Sequence, residues 1–327
     1  MRRREFITLF GGAVTAWPLA VRAQQQALPV VAFLRTGSAD TNSRNVAAFR
    51  KGLNETGYVE GQNVTVEYYW LESPYDRLPA LIADLIRRQV AVIATIGTSQ
   101  VALAAKAATA TIPIVFGEGT DPVQLGLVAS LAQPGGNATG INFLTTETNA
   151  KRLRLLHDMV PKAVRVALLF NPANTNAKTT LRDVQEAART IGLQIQILNA
   201  STIGEMNAAF ATLERERSDA LFVSGDAFFL SRRVQLATLT SRGRMPAMFS
   251  ARDYVEAGGL MSYGTDFGDT FRQVGVYTGK ILKGAKPAEL PVLQSTKFEL
   301  VINLQTARML GIEVPSGLHS VADDVIE

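Results

Sequence analysis

Cysteine is absent from the 327 residues, and histidine occurs only twice, at His157 and His319. The first absence excludes disulfides, and with them the lipidated cysteine that tethers many exported proteins to a membrane. Neither histidine has a partner nearby in the sequence, so no metal site is expected and both read as packing or surface residues. Catalytic signatures are missing too. There is no G-x-S-x-G elbow, no phosphate-binding loop, no G-x-G-x-x-G fingerprint and no H-E-x-x-H pair, and no paired acids stand out. The expected class is therefore not an enzyme and uses no cofactor, with hydrolysis of a small substrate the weakest of the alternatives. No apolar run reaches the roughly 20 residues a helix needs to cross a bilayer of about 30 Å.

What the N-terminus does contain is a leader-like pattern. Arg2, Arg3 and Arg4 form a basic start, Ile7 to Ala20 is mostly apolar or small, and Val21-Arg22-Ala23 ends in the small-x-small manner of a cleavage site. Arg3-Arg4-Glu5-Phe6-Ile7 resembles a twin-arginine motif, with Thr8 where lysine is usual, so the folded and unfolded export routes both stay open. Residues 1–23 are expected to be removed, leaving a soluble, unlipidated periplasmic protein. The net charge of +4 shrinks with them, because four arginines and one glutamate are lost, leaving 29 basic and 28 acidic residues. A nearly neutral surface with only short basic pairs such as Arg87-Arg88 and Arg232-Arg233 does not suit nucleic acid.

With 47% hydrophobic and 19% charged residues the remainder has a globular composition. Short runs rich in valine and isoleucine alternate with longer amphipathic stretches. The runs at residues 30–34, 64–68, 90–96, 114–116, 140–143, 164–170, 193–198, 220–224, 247–250 and 260–263 read as strands. Stretches 45–55, 77–88, 100–108, 177–191 and 231–242 read as helices. An alternation this long predicts an α/β protein of two doubly wound parallel-sheet lobes joined by crossing strands. The turn-rich segment Gln133-Pro134-Gly135-Gly136-Asn137 precedes the first crossing, at about 141–145. A second crossing is expected at 262–266 and a third before Lys297, followed by a strand 299–303, a short helix to Leu310 and an irregular arm. Lobe 1 then comprises 28–142 plus about 265–296, and lobe 2 comprises 143–264 plus about 297–327.

Several segments carry a family pattern in their order and spacing. They are Ile112-Pro113-Ile114-Val115-Phe116 with Asp121-Pro122-Val123, then Pro134-Gly135-Gly136-Asn137 with Thr139-Gly140. Asn171-Pro172-Ala173-Asn174 follows, and Asn303-Leu304-Gln305-Thr306-Ala307 with Leu310-Gly311-Ile312 closes the set. Together these resemble the ABC-transporter substrate-binding family related to the tryptophan-binding TrpX proteins, of the type 1 periplasmic binding fold. Tyr68-Tyr69-Trp70-Leu71 departs from it, since the family often has arginine before the tryptophan. The resemblance implies two lobes that close on an amino acid or similar small molecule, and an ABC permease in the inner membrane as partner. A binding protein of the same fold that serves a signalling receptor would look alike in sequence.

Ligands of open parallel sheets sit beyond the carboxyl ends of the strands, where helix N-termini present free N–H groups. The candidates are therefore the residues that follow each strand. Arg35 and Thr36 follow the first, with Arg35 suited to pairing a carboxylate or lying on the surface. Thr98 and Ser99 either hold a ligand carboxylate or cap the next helix. Gly117, Gly119 and Thr120 let backbone approach a ligand, while Asp121 before Pro122 reads as a helix cap. In lobe 2, Asn171 and Asn174 turn the chain or bond a ligand, and Gly225-Asp226 either receives an ammonium or caps a helix. Phe249, Ser250 and Tyr263 offer an aromatic wall or belong to the core. An amino acid, possibly aromatic, or an aromatic carboxylate is the expected ligand, bound by a monomer whose lobes close through the crossing strands.

Overall fold

The computed structural model describes residues 27–36, 39, 42–71, 76–97, 99–143, 148–174 and 176–327. The expected leader at 1–23, Thr98 and positions 144 and 145 of the first crossing lie outside the described residues, as does the side chain of Thr36.

The first half builds one sheet from β1 (Val30–Thr36), β2 (Thr65–Leu71), β3 (Val92–Ile96), β4 (Ile114–Glu118) and β5 (Ala138–Asn142). Helices α1 (Ser43–Glu55), α2 (Leu78–Arg87) and α3 (Ser99–Ala108) lie between them in sequence. All the pairs are parallel, and β3, β4 and β5 are buried along their whole length because helices cover both faces. One face packs Leu34, Ile93 and Phe116 against Ile82 and Leu85 of α2 and Val101 of α3. The other packs Phe33 and Val115 against Phe49 and Leu53 of α1.

A second sheet follows, from β6 (Arg165–Phe170), β7 (Gln194–Asn199), β8 (Ala220–Val223), β9 (Ala247–Phe249) and β10 (Met261–Thr265). Its helices are α4 (Asn149–Met159), α5 (Ala177–Ile191), α6 (Ile203–Glu216), α7 (Ala227–Ser231), α8 (Arg233–Arg242) and α9 (Arg252–Glu256). The chain then returns to the first lobe as α10 (Phe267–Leu282) and β11 (Leu293–Gln294). It goes back to the second as β12 (Phe298–Asn303), α11 (Leu304–Leu310), α12 (Ser316–Val321) and β13 (Asp324–Ile326). The sheet orders are β11-β5-β4-β3-β1-β2 and β13-β12-β10-β9-β8-β6-β7, with only β10–β12 antiparallel. The chain thus changes sheets three times: after Asn142, after Thr265 and between Gln294 and Phe298. Two of these passages are bonded together where Asp266 N–H donates to the Lys297 carbonyl at 3.0 Å.

Helix α10 completes lobe 1 by lying on α1 at very close range. A Cβ on Gly52 would stand 1.9 Å from the Arg272 carbonyl oxygen, and one on Gly275 would stand 2.2 Å from that of Phe49. Only hydrogen at these two positions lets the backbones approach so closely. Three expectations need correcting. The arm beyond Leu310 is not irregular, since it holds α12 and a strand, β13, that pairs in parallel with β12. Asp121 caps a turn rather than a helix, accepting from Val123 N–H at 2.8 Å. Helices α6 and α10, which were not anticipated, fill the gaps between the expected strands at 193–198 and 220–224 and between those at 260–263 and 299–303.

Candidate functional site

In both sheets the first five strands run in the order 2-1-3-4-5, so each lobe has a switch point beside its first strand, where ligands of such sheets bind. In lobe 1 that point lies between β1 and β3. Arg35, next to last in β1, is half-buried, with its guanidinium carbon 4.5 Å from the centre of the Phe271 ring and its Nε bonded to Asn42. Gly97, just past β3, has φ +87° and leaves room for this arginine, whose Nη1 would stand 3.5 Å from a Cβ there. Burial lowers the Arg35 pKa to about 10, the nearby Arg233 lowers it further, and Asp253 opposes both. Those two residues belong to lobe 2, so Arg35 already feels the opposite wall.

Beside it, Ser99 at the start of α3 donates its hydroxyl to Glu118 Oε2 at 2.7 Å. Glu118 ends β4 only 1% exposed, and its other carboxyl oxygen has no partner. Burial pushes its pKa up to about 7, with the Ser99 bond opposing. The turn after it is held by Asn142, whose amide donates to the carbonyls of Glu118 at 3.0 Å and Thr120 at 2.9 Å. Gly117 is buried against Ile96, and Gly119 and Thr120 are half-buried.

In lobe 2 the switch point lies between β6 and β8. Asn174 donates to Asp226 Oδ2 at 2.6 Å, and Asn171 donates at 3.3 Å to both oxygens of the same carboxylate. Asp226 also caps α7, accepting from Phe228 N–H at 2.8 Å. The structure thus brings Asn171, Asn174, Gly225 and Asp226 into one cluster and uses both Asp226 oxygens inside it. The walls touch where Asn176 Nδ2 lies 3.5 Å from Thr120 Oγ1. Arg44 of α1 bonds Glu256 of α9 at 2.8 Å, on the rim of a recess of about 310 Å³ that also takes in Arg233 and Arg252.

The expected aromatic wall is not gathered here. Phe249 is fully buried and stacks on Tyr254, ring centres 4.7 Å apart. Tyr263 stacks on Phe298 at 6.0 Å beside β12. Ser250 is half-buried, its carbonyl pressed against Gly264.

Two residues that were not anticipated stand out in lobe 2. Arg152 of α4 is 0% exposed, donates through Nη2 to the carbonyl of Val223 at the end of β8, and lies 4.3 Å over the Phe222 ring. Its Nε and Nη1 have no partner, and burial lowers its pKa to about 9. Tyr254, also fully buried, has an unpartnered hydroxyl whose pKa burial drives well above the usual value. The signal for Arg152 was in the sequence: it lies three and four residues before Leu155 and Leu156, on the apolar stripe of its helix.

Polar side chains thus gather at the strand ends of both lobes, and the recess of about 310 Å³ between the lobes is lined by other residues, among them Asn45, Arg233, Arg252 and Asp253. No cluster of acids and histidines among the described residues is arranged to hold a metal, and no helix among them is long and apolar enough to cross a membrane. Comparison with known proteins agrees with a binding architecture. Residues 30–326 match the family described as ABC transporter substrate binding protein. A tyrosine-binding protein of Clostridioides difficile is 27% identical over 266 residues, which span 81% of this chain and 76% of that one. The crystal structure of an ABC domain of Streptococcus pneumoniae in complex with L-Trp superposes with a TM-score of 0.81 at 25% identity, covering 92% of this chain and all of that one. A conserved domain protein of Vibrio cholerae superposes with a TM-score of 0.80 at 26% identity, over 91% and 99%. This chain belongs to the ABC transporter substrate-binding protein family.

Proposed function

We propose that the chain captures an aromatic amino acid in the periplasm and delivers it to an ABC permease, without transforming it. The observation that carries this reading is the meeting of the two switch points: Thr120 at the end of lobe 1's strands faces Asn176 beside the Asn171–Asp226 cluster of lobe 2. A ligand that bonds to both walls binds the closed form better than the open one and shifts the population toward it. Tyrosine and L-Trp enter as the ligands of two similar proteins. Ser99, Thr120, Arg35 and the backbone of Gly117 and Gly119 form the lobe 1 wall in this reading, with Thr98 beside them in sequence. Asn171, Asn174 and Gly225 frame the wall of lobe 2.

The test is a thermal-shift screen of the purified protein against the amino acids, aromatic acids and sugars. A ligand at 100 times its dissociation constant stabilises by about 2.7 kcal/mol. L-tyrosine or L-tryptophan is expected to give that shift and to be recovered chemically unchanged; a sugar alone doing so would overturn the reading. Export is tested separately. The periplasmic fraction should contain a monomer whose N-terminal residue is Gln24, and a cytoplasmic protein starting at Met1 refutes that part.

A further inference from the structure

The recess of about 310 Å³ between the lobes is lined by three arginines and three acids: Arg44, Arg233, Arg252, Asp253, Glu256 and Glu299. Most of these charges cancel one another. Arg252 bonds Glu256 at 2.7 Å, Glu299 at 3.4 Å and also Asp324, while Arg44 bonds Glu256 at 2.8 Å. Two charges are left over. Among the described residues the Asp253 carboxylate has no hydrogen bond or ion pair, and the Arg233 guanidinium reaches only the Leu230 carbonyl, at 3.4 Å. Both are half-buried, in the first turns of α9 and α8, and both lie near enough to Arg35 of the opposite lobe to act on its charge.

The lobe 1 side of the same recess is also short of partners. Ser43 and Asn45, the first and third residues of α1, line it. Asn45 is only 7% exposed, yet its amide bonds no other described residue. A polar side chain so buried is normally hydrogen-bonded. The start of α1 has neither a side-chain cap nor an acid in its first turn, so its N–H groups and positive dipole end meet the recess uncompensated. Helix α8, which begins at Arg233, is uncapped in the same way.

Resting on the amino-acid reading above, we infer that this recess holds the charged head of the amino acid: Asp253 accepts from the α-ammonium, and Arg233, Asn45 and the start of α1 donate to the α-carboxylate. The match is one of count as well as sign. Pairing inside the recess leaves one cation and one anion, and a zwitterion brings one of each. The volume is sufficient, since small-molecule sites begin at about 300 Å³. Asp226, the acid the sequence puts forward for the ammonium, spends both oxygens on Phe228 N–H, Asn171 and Asn174. A carboxylate shared by Asn45 of lobe 1 and Arg233 of lobe 2 is bound fully only when the lobes are together, so the head group itself favours the closed form.

Titration calorimetry with L-tyrosine and two analogues tests this. Tyramine lacks the carboxylate, and 3-(4-hydroxyphenyl)propanoate lacks the ammonium. If L-tryptophan is the tighter ligand, tryptamine and 3-(indol-3-yl)propanoate take their places. The unaltered protein should bind both analogues at least about tenfold more weakly than the amino acid, the size of a lost charge-assisted bond. Asp253→Asn should weaken the amino acid and the amine by about tenfold or more and leave the propanoate within about twofold. Arg233→Gln and Asn45→Ala should do the reverse, weakening the amino acid and the propanoate and sparing the amine. Equal binding of all three ligands by the unaltered protein overturns the inference with no variant needed. So does an amino-acid affinity that survives both Asp253→Asn and Arg233→Gln, because the head group is then held elsewhere while the amino-acid reading stands. A variant that weakens all three ligands alike has lost packing, and overturns the role given to that residue. If no amino acid binds the unaltered protein, the amino-acid reading falls and this inference with it.

Discussion

At the scale of single residues, the site is governed by which carboxylates are already spoken for. Glu118 ends β4 and Asp226 follows β8 by three residues, but the aspartate is saturated by its neighbours and the glutamate is held by a single hydroxyl. Asp226→Ala should cost about 1–2 kcal/mol of stability, because a helix cap and the Asn174 bond go together; urea unfolding measures it, and an unchanged midpoint would refute the capping role. Glu118 has the opposite effect. Its folded pKa of about 7 lies above the ordinary 4.5, so the folded chain holds the proton more tightly than the unfolded one. Below about pH 4.5 the carboxyl is protonated in both states and costs nothing. As the pH rises toward 7 the unfolded chain releases its proton first and stability falls, to a deficit of about 3 kcal/mol that then stays constant. Glu118→Gln should therefore be the more stable protein at pH 8 and match the parent near pH 4.5, in urea titrations at both values. If the variant is no more stable at pH 8, the carboxyl is not strained by burial. Of this, the sequence shows only the outline. Strand ends were legible from the alternation of apolar runs, and Asn171, Asn174 and Asp226 do converge. Which acid is satisfied depends on contacts between residues over fifty positions apart, such as Asn171 with Asp226, and no local pattern reveals that.

At the scale of elements, legibility followed amphipathicity. Helix α5 carries its apolar residues on one stripe, Val184 and Ala188 inward, and its extent, Ala177–Ile191, is as the periodicity predicts. Helix α6 has equally good signals that went unread: Thr202 accepts from Glu205 N–H at 3.2 Å, while Glu205 reaches back to the N–H of Ser201 at 2.7 Å. Helix α10 was hidden for a physical reason. Its Gly275 and Gly279 are poor helix formers, and they are there because α1 lies against them. Strand β13 was hidden because three residues, Asp324–Ile326, are too few to show a period, and pairing with β12 supplies what propensity does not. The close contact of α1 and α10 makes a sharp prediction. Gly275→Ala forces a methyl group to within 2.2 Å of the Phe49 carbonyl, so the helices must separate. A loss of about 1–3 kcal/mol is expected by thermal or urea unfolding. Gly204→Ala, where a Cβ meets nothing within 4 Å, is the control and should be neutral or mildly stabilising.

At the scale of the whole molecule, two lobes are joined by three passages of chain, and the proposed closing motion would turn about those passages. Small-angle scattering should show compaction when L-tyrosine is added at saturation, and an unchanged radius of gyration would mean that binding does not close the cleft. The exposed Arg44–Glu256 pair across the rim is too well solvated to act as a lock, being worth about 0–1 kcal/mol. Arg44→Ala should accordingly change affinity by less than about fivefold in calorimetry; a much larger loss would move the closing force from the ligand to the rim.

The return of α10 to lobe 1 has a further consequence, in time rather than in space. Phe49 and Leu53 of α1 cover their inner face with Phe271 and Val274, residues made more than 200 positions later. A ribosome that has finished β1 through β5 has therefore made most of lobe 1 without the helix that seals it, and must first synthesise nearly all of the other sheet. The nascent chain carries a bare apolar groove until its last sixty or so residues emerge. Lobe 1 cannot close early in synthesis, which leaves a long interval in which chaperones or an export machinery can engage the chain before it is committed to its final shape.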